Sequence, residues 1–451
     1  MMKKIAISIV CPLIGVFLLA SCMGEEEEIE KSSAVALLSF GIKDLKTVHE
    51  VEDTDSVYTT VMSGKTVQFT IDQDQQLVYN VDSIAYGTNV SRVLVEVTAD
   101  GFVGYLKEDG QIGSVEDSID FASPVTFRVT SYDERFTRDY RVSINVHKVD
   151  PKKTVWTKIA NVTFPADLFA EQKAFVKGDS LYVIGNSSDG TLHMASAALA
   201  ADAEWSTNPC SGIIGNADCM SAMLVGDTFC LTADGVVYYS ADAVAWTSAN
   251  NPTSISTLLA FEEDDIPVFW SVNEKNMMSS VNMETWTVNQ YLNIQIARGV
   301  ASFCAPLRTN EHIMRTVFVA TPVVPDTCAQ VWTKLSTEPD WIQVEPKGGN
   351  VYGCPNLENL TVIRYAGKMY AFGGVSIGDR KKPLEAFSAC YESRDNGVTW
   401  KGEDKRYEAA FSLSGEFKGR TEAFSATTDG EYVWVIWSTG EVWRGRWNGI
   451  K

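Results

Sequence analysis

The segment RVSINVH (141–147) alternates without a break, Val142, Ile144 and Val146 falling on one face and Arg141, Ser143, Asn145 and His147 on the other. A period of two is the mark of a half-buried β-strand. From about Ala34 to Lys148, short apolar runs of this kind are separated by Gly, Asp, Asn and Ser, and no long helical periodicity interrupts them. Several such strands in little more than a hundred residues predict an antiparallel β-sandwich over residues 34–150. The linker VDPKKT (149–154) ends it, because Pro151 has no N–H to give to a sheet ladder.

Beyond the linker, tryptophans recur at 156, 205, 246, 286, 341 and 400. Repeats of about 40 to 50 residues belong to propellers. Three stretches share one inner grammar: GDSLYVIG (178–185), GDTFCLTADGVVYYSADAVAW (226–246) and GKMYAFGG (367–374) each place a glycine turn before an apolar strand. The closing stretch WSTGEVWRGRW (437–447) aligns with TADGVVYYSAD (232–242) through its turns, and the chain stops before a fourth strand can follow. KTVWTKIA (153–160) is the expected donor of that strand. The fold class is therefore all-β: an Ig- or cadherin-like sandwich over 34–150, then a six-bladed β-propeller over 151–451 closed by an N-terminal strand, which leaves no open sheet edge.

The first 22 residues read as an export signal, with Lys3 and Lys4 before an apolar run from Ile5 to Ala20 that is too short to span a bilayer. Leu19-Ala20-Ser21-Cys22 resembles a bacterial lipobox, which implies that Cys22 carries the lipid. Residues 23–33 contain Glu25–Glu28 and predict a solvated tether. An acidic run in that place resembles the surface-export signal of Bacteroidetes-type lipoproteins; a plain spacer is the other reading. The expected location is the outer membrane, lipid-anchored and surface-exposed.

Acidic residues outnumber basic ones by 58 to 38, which argues against nucleic acid and anionic lipid surfaces as partners. Seven cysteines follow Cys22, at 210, 219, 230, 304, 328, 354 and 390, with no CxxC among them. Cys210 and Cys219 are the first pair to test for a disulfide, the rest reading as small buried hydrophobes.

SRDNGVTW (393–400) has the spacing of an Asp box, and its requirements are local: Asp395 accepts backbone N–H groups, Gly397 supplies positive φ, and Trp400 packs between sheets. SADAVAW (240–246) and SVNMETW (280–286) are shorter versions without the glycine. A turn repeats in this way; a catalytic aspartate does not. SRDNGVTW resembles a sialidase repeat and MYAFGG a kelch repeat, and the whole chain resembles uncharacterised Bacteroidetes-type surface lipoproteins that join an Ig-like domain to such a propeller. The sialidase Arg-Ile-Pro motif is missing, and the two propeller histidines, His193 and His312, lie in contexts unlike a galactose-oxidase copper site. No catalytic residue, metal ligand or cofactor is assigned. Glu52, Asp53 and Asp55, Asp72 and Asp74, and the EEDD run 262–265 lack the alternation of a calcium loop and read as solvated turns. Trp434, Trp437, Trp443 and Trp447 read as packing between blades rather than as a sugar platform.

The innermost strand of each blade starts at the face where loops converge on the channel. Glu171, Asp218, Arg298, Asn359, Arg420 and Glu422 sit at or just before those starts and form the expected ligand site, with Arg298 and Arg420 as its main donors. The expected function is a monomeric, lipid-anchored binding protein that recognises a glycan or a surface protein. The alternatives are a glycoside hydrolase or lyase, which needs carboxylates about 5 to 9.5 Å apart, and a structural or adhesion component.

Overall fold

The computed structural model describes residues 32–50, 57–200, 203–263, 266–307, 309–344, 352–380, 382–402 and 409–449. Cys22, Glu25–Glu28, Glu52, Asp53, Asp55, Asp264 and Asp265 lie outside the described residues. Within them the chain is all-β, with two 3-10 turns and no α-helix. It divides into two compact units, Met1–Asp150 and Pro151–Lys451.

The first unit is built on a six-stranded sheet in the order Phe69–Asp72, Leu77–Asn80, Thr137–Ser143, Val125–Thr130, Phe102–Leu106 and Ile112–Ser114. The strand Thr137–Ser143 takes in only the first three residues of RVSINVH; it buries Val142 and exposes Arg141, and the alternation runs on past its end to a buried Ile144 and a half-buried Val146. The sheet is not purely antiparallel as expected, because Thr137–Ser143 runs parallel to Leu77–Asn80. Just past the ladder, the Asn145 N–H donates to Asn80 Oδ1 at 2.7 Å and Asn145 Nδ2 donates to the Asn80 carbonyl at 2.7 Å. These bonds satisfy polar groups at the end of the parallel pair. Phe40 anchors the core, edge-on to Phe69 at 4.9 Å and to Phe127 at 5.6 Å.

Among the described residues the second unit contains six four-stranded antiparallel sheets. Numbered by their innermost strands, these start at Glu171–Lys177, Ala217–Val225, Thr257–Glu262, Ile296–Leu307, Thr361–Tyr365 and Phe424–Thr428. Each of the first five sheets is continuous in sequence. The sixth takes its outermost strand, Thr154–Lys158, from the start of the unit, where it pairs antiparallel with Val442–Trp447. Trp156 lies opposite Gly445; a Cβ there would come within 2.6 Å of the indole, so the ring lies flat on the strand only because residue 445 is glycine. Its Nε1 donates to the Ser412 carbonyl at 2.8 Å and its ring meets Phe417 edge-on at 4.9 Å.

The turns before Trp246, Trp286 and Trp400 follow one bonding scheme. In sheet five, Asp395 Oδ1 accepts from the Thr399 N–H at 2.9 Å and the Ser393 hydroxyl at 2.9 Å, while Trp400 Nε1 donates to the Gly397 carbonyl at 2.9 Å. In sheets two and three the same indole bond goes to Ala243 at 3.0 Å and Met283 at 2.9 Å. Ala243 and Met283 take φ of 60° and 63°, so the left-handed position survives without its glycine. The side-chain and indole bonds hold a conformation that costs an L-residue roughly 1 to 2 kcal/mol.

Several expectations change. Cys210 and Cys219 are not joined to each other and both are free thiols; Cys210 Sγ lies 3.1 Å from the Ala243 carbonyl. Asp72 does cap a turn, accepting from Asp74 N and Gln75 N. Glu262 does not belong to a solvated turn: it is buried at the end of an inner strand, 3.0 Å from Lys334 Nζ, and accepts from Trp270 Nε1 at 3.0 Å. Trp434 and Trp437 are buried, and Trp443 and Trp447 pack against a core cluster that includes Trp437.

Candidate functional site

All six innermost strands line one cavity of about 560 Å³; Lys173, Met220, Leu259, Arg298, Thr361 and Ser425 represent one strand each. The strands of sheets two, three and four are irregular here, with register shifts between Asp218 and Met223, between Leu258 and Ala260, and between Ile296 and Arg298. Bulges redirect side chains that a regular pleat would send elsewhere. In sheet two the bulge is held locally: Asp218 Oδ1 accepts from the Met220 N–H at 3.0 Å, and the Ser221 hydroxyl donates to the Asp218 carbonyl at 2.7 Å.

Three of the residues expected at the mouth meet. Arg298 Nη1 lies 3.5 Å from Glu171 Oε1 and Nη2 lies 3.3 Å from Asp218 Oδ1, so sheet four is tied to sheets one and two. Its side chain is 34% exposed and lines the cavity, leaving it open to water and to a ligand. Asn359, with φ of 49°, also lines the cavity.

Arg420 and Glu422 do not join them. The Arg420 guanidinium lies 3.8 Å over the Trp437 ring and donates to Glu441 Oε2 at 2.6 Å, with Glu422 Oε1 at 3.3 Å. Its side chain is only 17% exposed, because the indole and the Glu441 carboxylate draw it back into sheet six. The Glu441 carboxyl is held at about 2: burial works to raise it, but hydrogen bonds from Lys158, Arg420 and Trp443 outweigh that.

Lys173 is the cavity residue that the sequence reading missed. It stands two positions after Glu171 on the same strand and so on the same face; that spacing was the available signal. Its Nζ donates to the Met220 carbonyl of the bulge at 3.1 Å. Burial disfavours the ammonium and brings its pKa down to about 8, opposed by the Asp218 carboxylate and assisted by the Arg298 charge. Beside it the Cys219 thiol is pushed up to about 12 by burial, which keeps it protonated and inert at neutral pH.

The repeated four-stranded sheets and their shared central cavity define a β-propeller protein. Residues 150–451 match the DUF6242 beta propeller domain, and residues 40–144 match the N-terminal domain of unknown function DUF6242. The chain belongs to the DUF6242 family. No curated protein matches it. Among solved structures it is similar to a DUF4623 family protein from Bacteroides eggerthii, at 12% identity and a TM-score of 0.37, covering 91% of this chain and 98% of that one. It is similar as well to virginiamycin B lyase from Staphylococcus aureus, at 9% identity and a TM-score of 0.37, covering 65% of this chain and 99% of that one. A lectin in complex with alpha methyl fucoside matches at 12% identity and a TM-score of 0.37, covering 60% and 89%.

Proposed function

We propose that the protein is a lipid-anchored cell-surface binding protein whose propeller takes an acidic or hydroxyl-rich glycan unit at the channel mouth. One observation carries the reading: Arg298 and Lys173, from different sheets, line a single open cavity while Glu171 and Asp218 hold the guanidinium in place. A fixed guanidinium presents parallel donors to a carboxylate or to neighbouring hydroxyls, and the carboxylates beside it accept from hydroxyls. Phe175 and Leu259 supply apolar wall for the face of a ring.

The finer architecture that goes with this reading is a six-bladed ring, closed by the pairing of Thr154–Lys158 with Val442–Trp447 and carrying kelch-like and Asp-box-like turns. In this reading an Ig- or cadherin-like unit precedes it, Cys22 of the lipobox-like Leu19-Ala20-Ser21-Cys22 carries the lipid, and Glu25–Glu28 is the signal that takes the chain to the outer face of a Bacteroidetes-type outer membrane. Cys22→Ala is expected to release the protein from the membrane fraction or leave it unprocessed; full membrane retention would remove the anchor from the proposal.

The binding test is a glycan array probed with the mature chain and with Arg298→Ala, with released sugar assayed on every hit. The variant is expected to bind more weakly by about 1.5 to 3 kcal/mol, the scale of a hydrogen bond to a charged group. Sugar release would move the assignment to a hydrolase or lyase. Equal binding by both proteins would remove the site.

A further inference from the structure

A second pocket, of about 210 Å³, lies between sheets four and five at the other end of their inner strands; Phe303 and Arg364 line both it and the central cavity, while its other lining residues differ from those of the mouth. On the first hairpin of sheet four, Arg298 pairs with Thr321 near one end, whereas Ala305 pairs with Arg315 toward the other. Arg315 lines this second pocket together with Arg364, near the end of the inner strand of sheet five, and Arg394 and Asn396 from the Asp-box turn. Phe303 and Met369 form apolar wall. No carboxylate lines the pocket among the described residues.

Three arginines border this small space, one of them paired with Glu392, in a chain of net charge −20. Arg394 is partly compensated by Glu392, but that buried carboxylate also accepts from Tyr370 Oη at 3.2 Å and Ala410 N at 2.8 Å and lies 3.5 Å from Lys368 Nζ. It has little capacity left for the other two arginines. Arg315 and Arg364 have no ion pair among the described residues, and Arg315 Nε is buried without a hydrogen-bond partner. The Nε–H groups of Arg380, Arg420 and Arg446 are buried without a hydrogen-bond partner as well, and of these four arginines Arg315 is the one that lines this pocket, where a bound acceptor could reach it.

We infer that this pocket is an oxyanion site, built to hold a compact sulfate, phosphate or carboxylate group between Arg315, Arg364 and Arg394. Bidentate donation from Arg364 and Arg315 would satisfy the orphaned Nε–H. The Asp box thus has two sides. Its Ser393, Asp395, Gly397 and Trp400 build the turn, while Arg394 and Asn396, between them in sequence, line the pocket.

The test is titration of the purified mature chain with sodium sulfate, sodium phosphate and sodium acetate, against sodium chloride at matched ionic strength, followed by calorimetry and by melting temperature. A saturable effect beyond chloride is expected for at least one of the three, and its identity names the group. Arg364→Ala, an exposed position, should weaken that binding tenfold or more. Arg315→Lys keeps the charge and removes the fork, and should weaken it as well. In an Arg298→Ala background, which removes the channel-mouth donor, the Arg364-dependent binding should persist, and that separates the two sites. Absence of saturable binding by all three anions, or full affinity in Arg364→Ala, would overturn the inference.

Discussion

Arg298 Nη2 lies 3.3 Å from Asp218 Oδ1, a bond that joins the inner strand of sheet four to that of sheet two. Both side chains keep about a third of their surface in water, 34% and 30%, so the pair is screened and contributes little to stability. In denaturant unfolding, Arg298→Ala, Asp218→Ala and the double variant should yield a coupling of about 0.2 to 1 kcal/mol. A coupling of several kcal/mol would make Arg298 a structural strut rather than a donor kept for a ligand.

Lys173 should titrate far below an ordinary lysine. Labelling with an amine reagent across a pH series, read peptide by peptide by mass spectrometry, should show a midpoint near 8 for Lys173. Asp218→Asn removes a charge that raises it and should move the midpoint down; Arg298→Ala removes a charge that lowers it and should move the midpoint up. A midpoint near 10.4, the unperturbed lysine value, would mean that the amine is solvated.

Gly445→Ala would place a methyl group against the Trp156 indole, where the ideal Cβ position is 2.6 Å from the ring. Overpacking of this kind costs about 1 to 3 kcal/mol. The cost should shrink in a Trp156→Ala background, because the ring that the methyl strikes has gone. If the two substitutions simply add, Trp156 does not lie on Gly445 in solution.

Glu441 links the sign of acid sensitivity to sheet six. Its folded pKa is depressed to about 2 from the model-compound value of 4.5, so the stability it contributes is fully present above about pH 4.5 and is lost as pH falls toward 2. Glu441→Gln should therefore lower stability at pH 6 by on the order of 1 kcal/mol, after allowance for solvent screening, and this difference from the parent should vanish by about pH 2. An equal difference at both pH values would assign the loss to packing instead.

What the sequence determined by itself was local. Alternation marked the strand at Val142 and the buried Ile144 just past it, and the Ser393, Asp395 and Gly397 spacing marked a turn whose bonds all close within eight residues, 393 to 400. Such features depend on neighbours along the chain, so they can be read without knowing the fold. The length of the last repeat, one strand short, also pointed to Thr154–Lys158, because a missing ladder partner is a deficit visible in one dimension.

Tertiary structure decided everything that depends on where one sheet stands beside another. Arg298 and Arg420 look alike in sequence, each just before or at the start of an inner strand, yet one lines the cavity and the other is taken up by Trp437 and Glu441. Lys173 became a lowered-pKa amine because the packing of the inner strands against one another buries it, with the Met220 carbonyl of the next sheet as its hydrogen-bond acceptor. Glu262 looked like part of a solvated acidic run until Lys334 met it in the core. Arg315, Arg364 and Arg394, scattered along the chain, share a pocket because two hairpins and an Asp-box turn end side by side. Charge pairing acts through space and falls off over a few ångströms, so its partners are set by the packing of sheets and not by the order of residues.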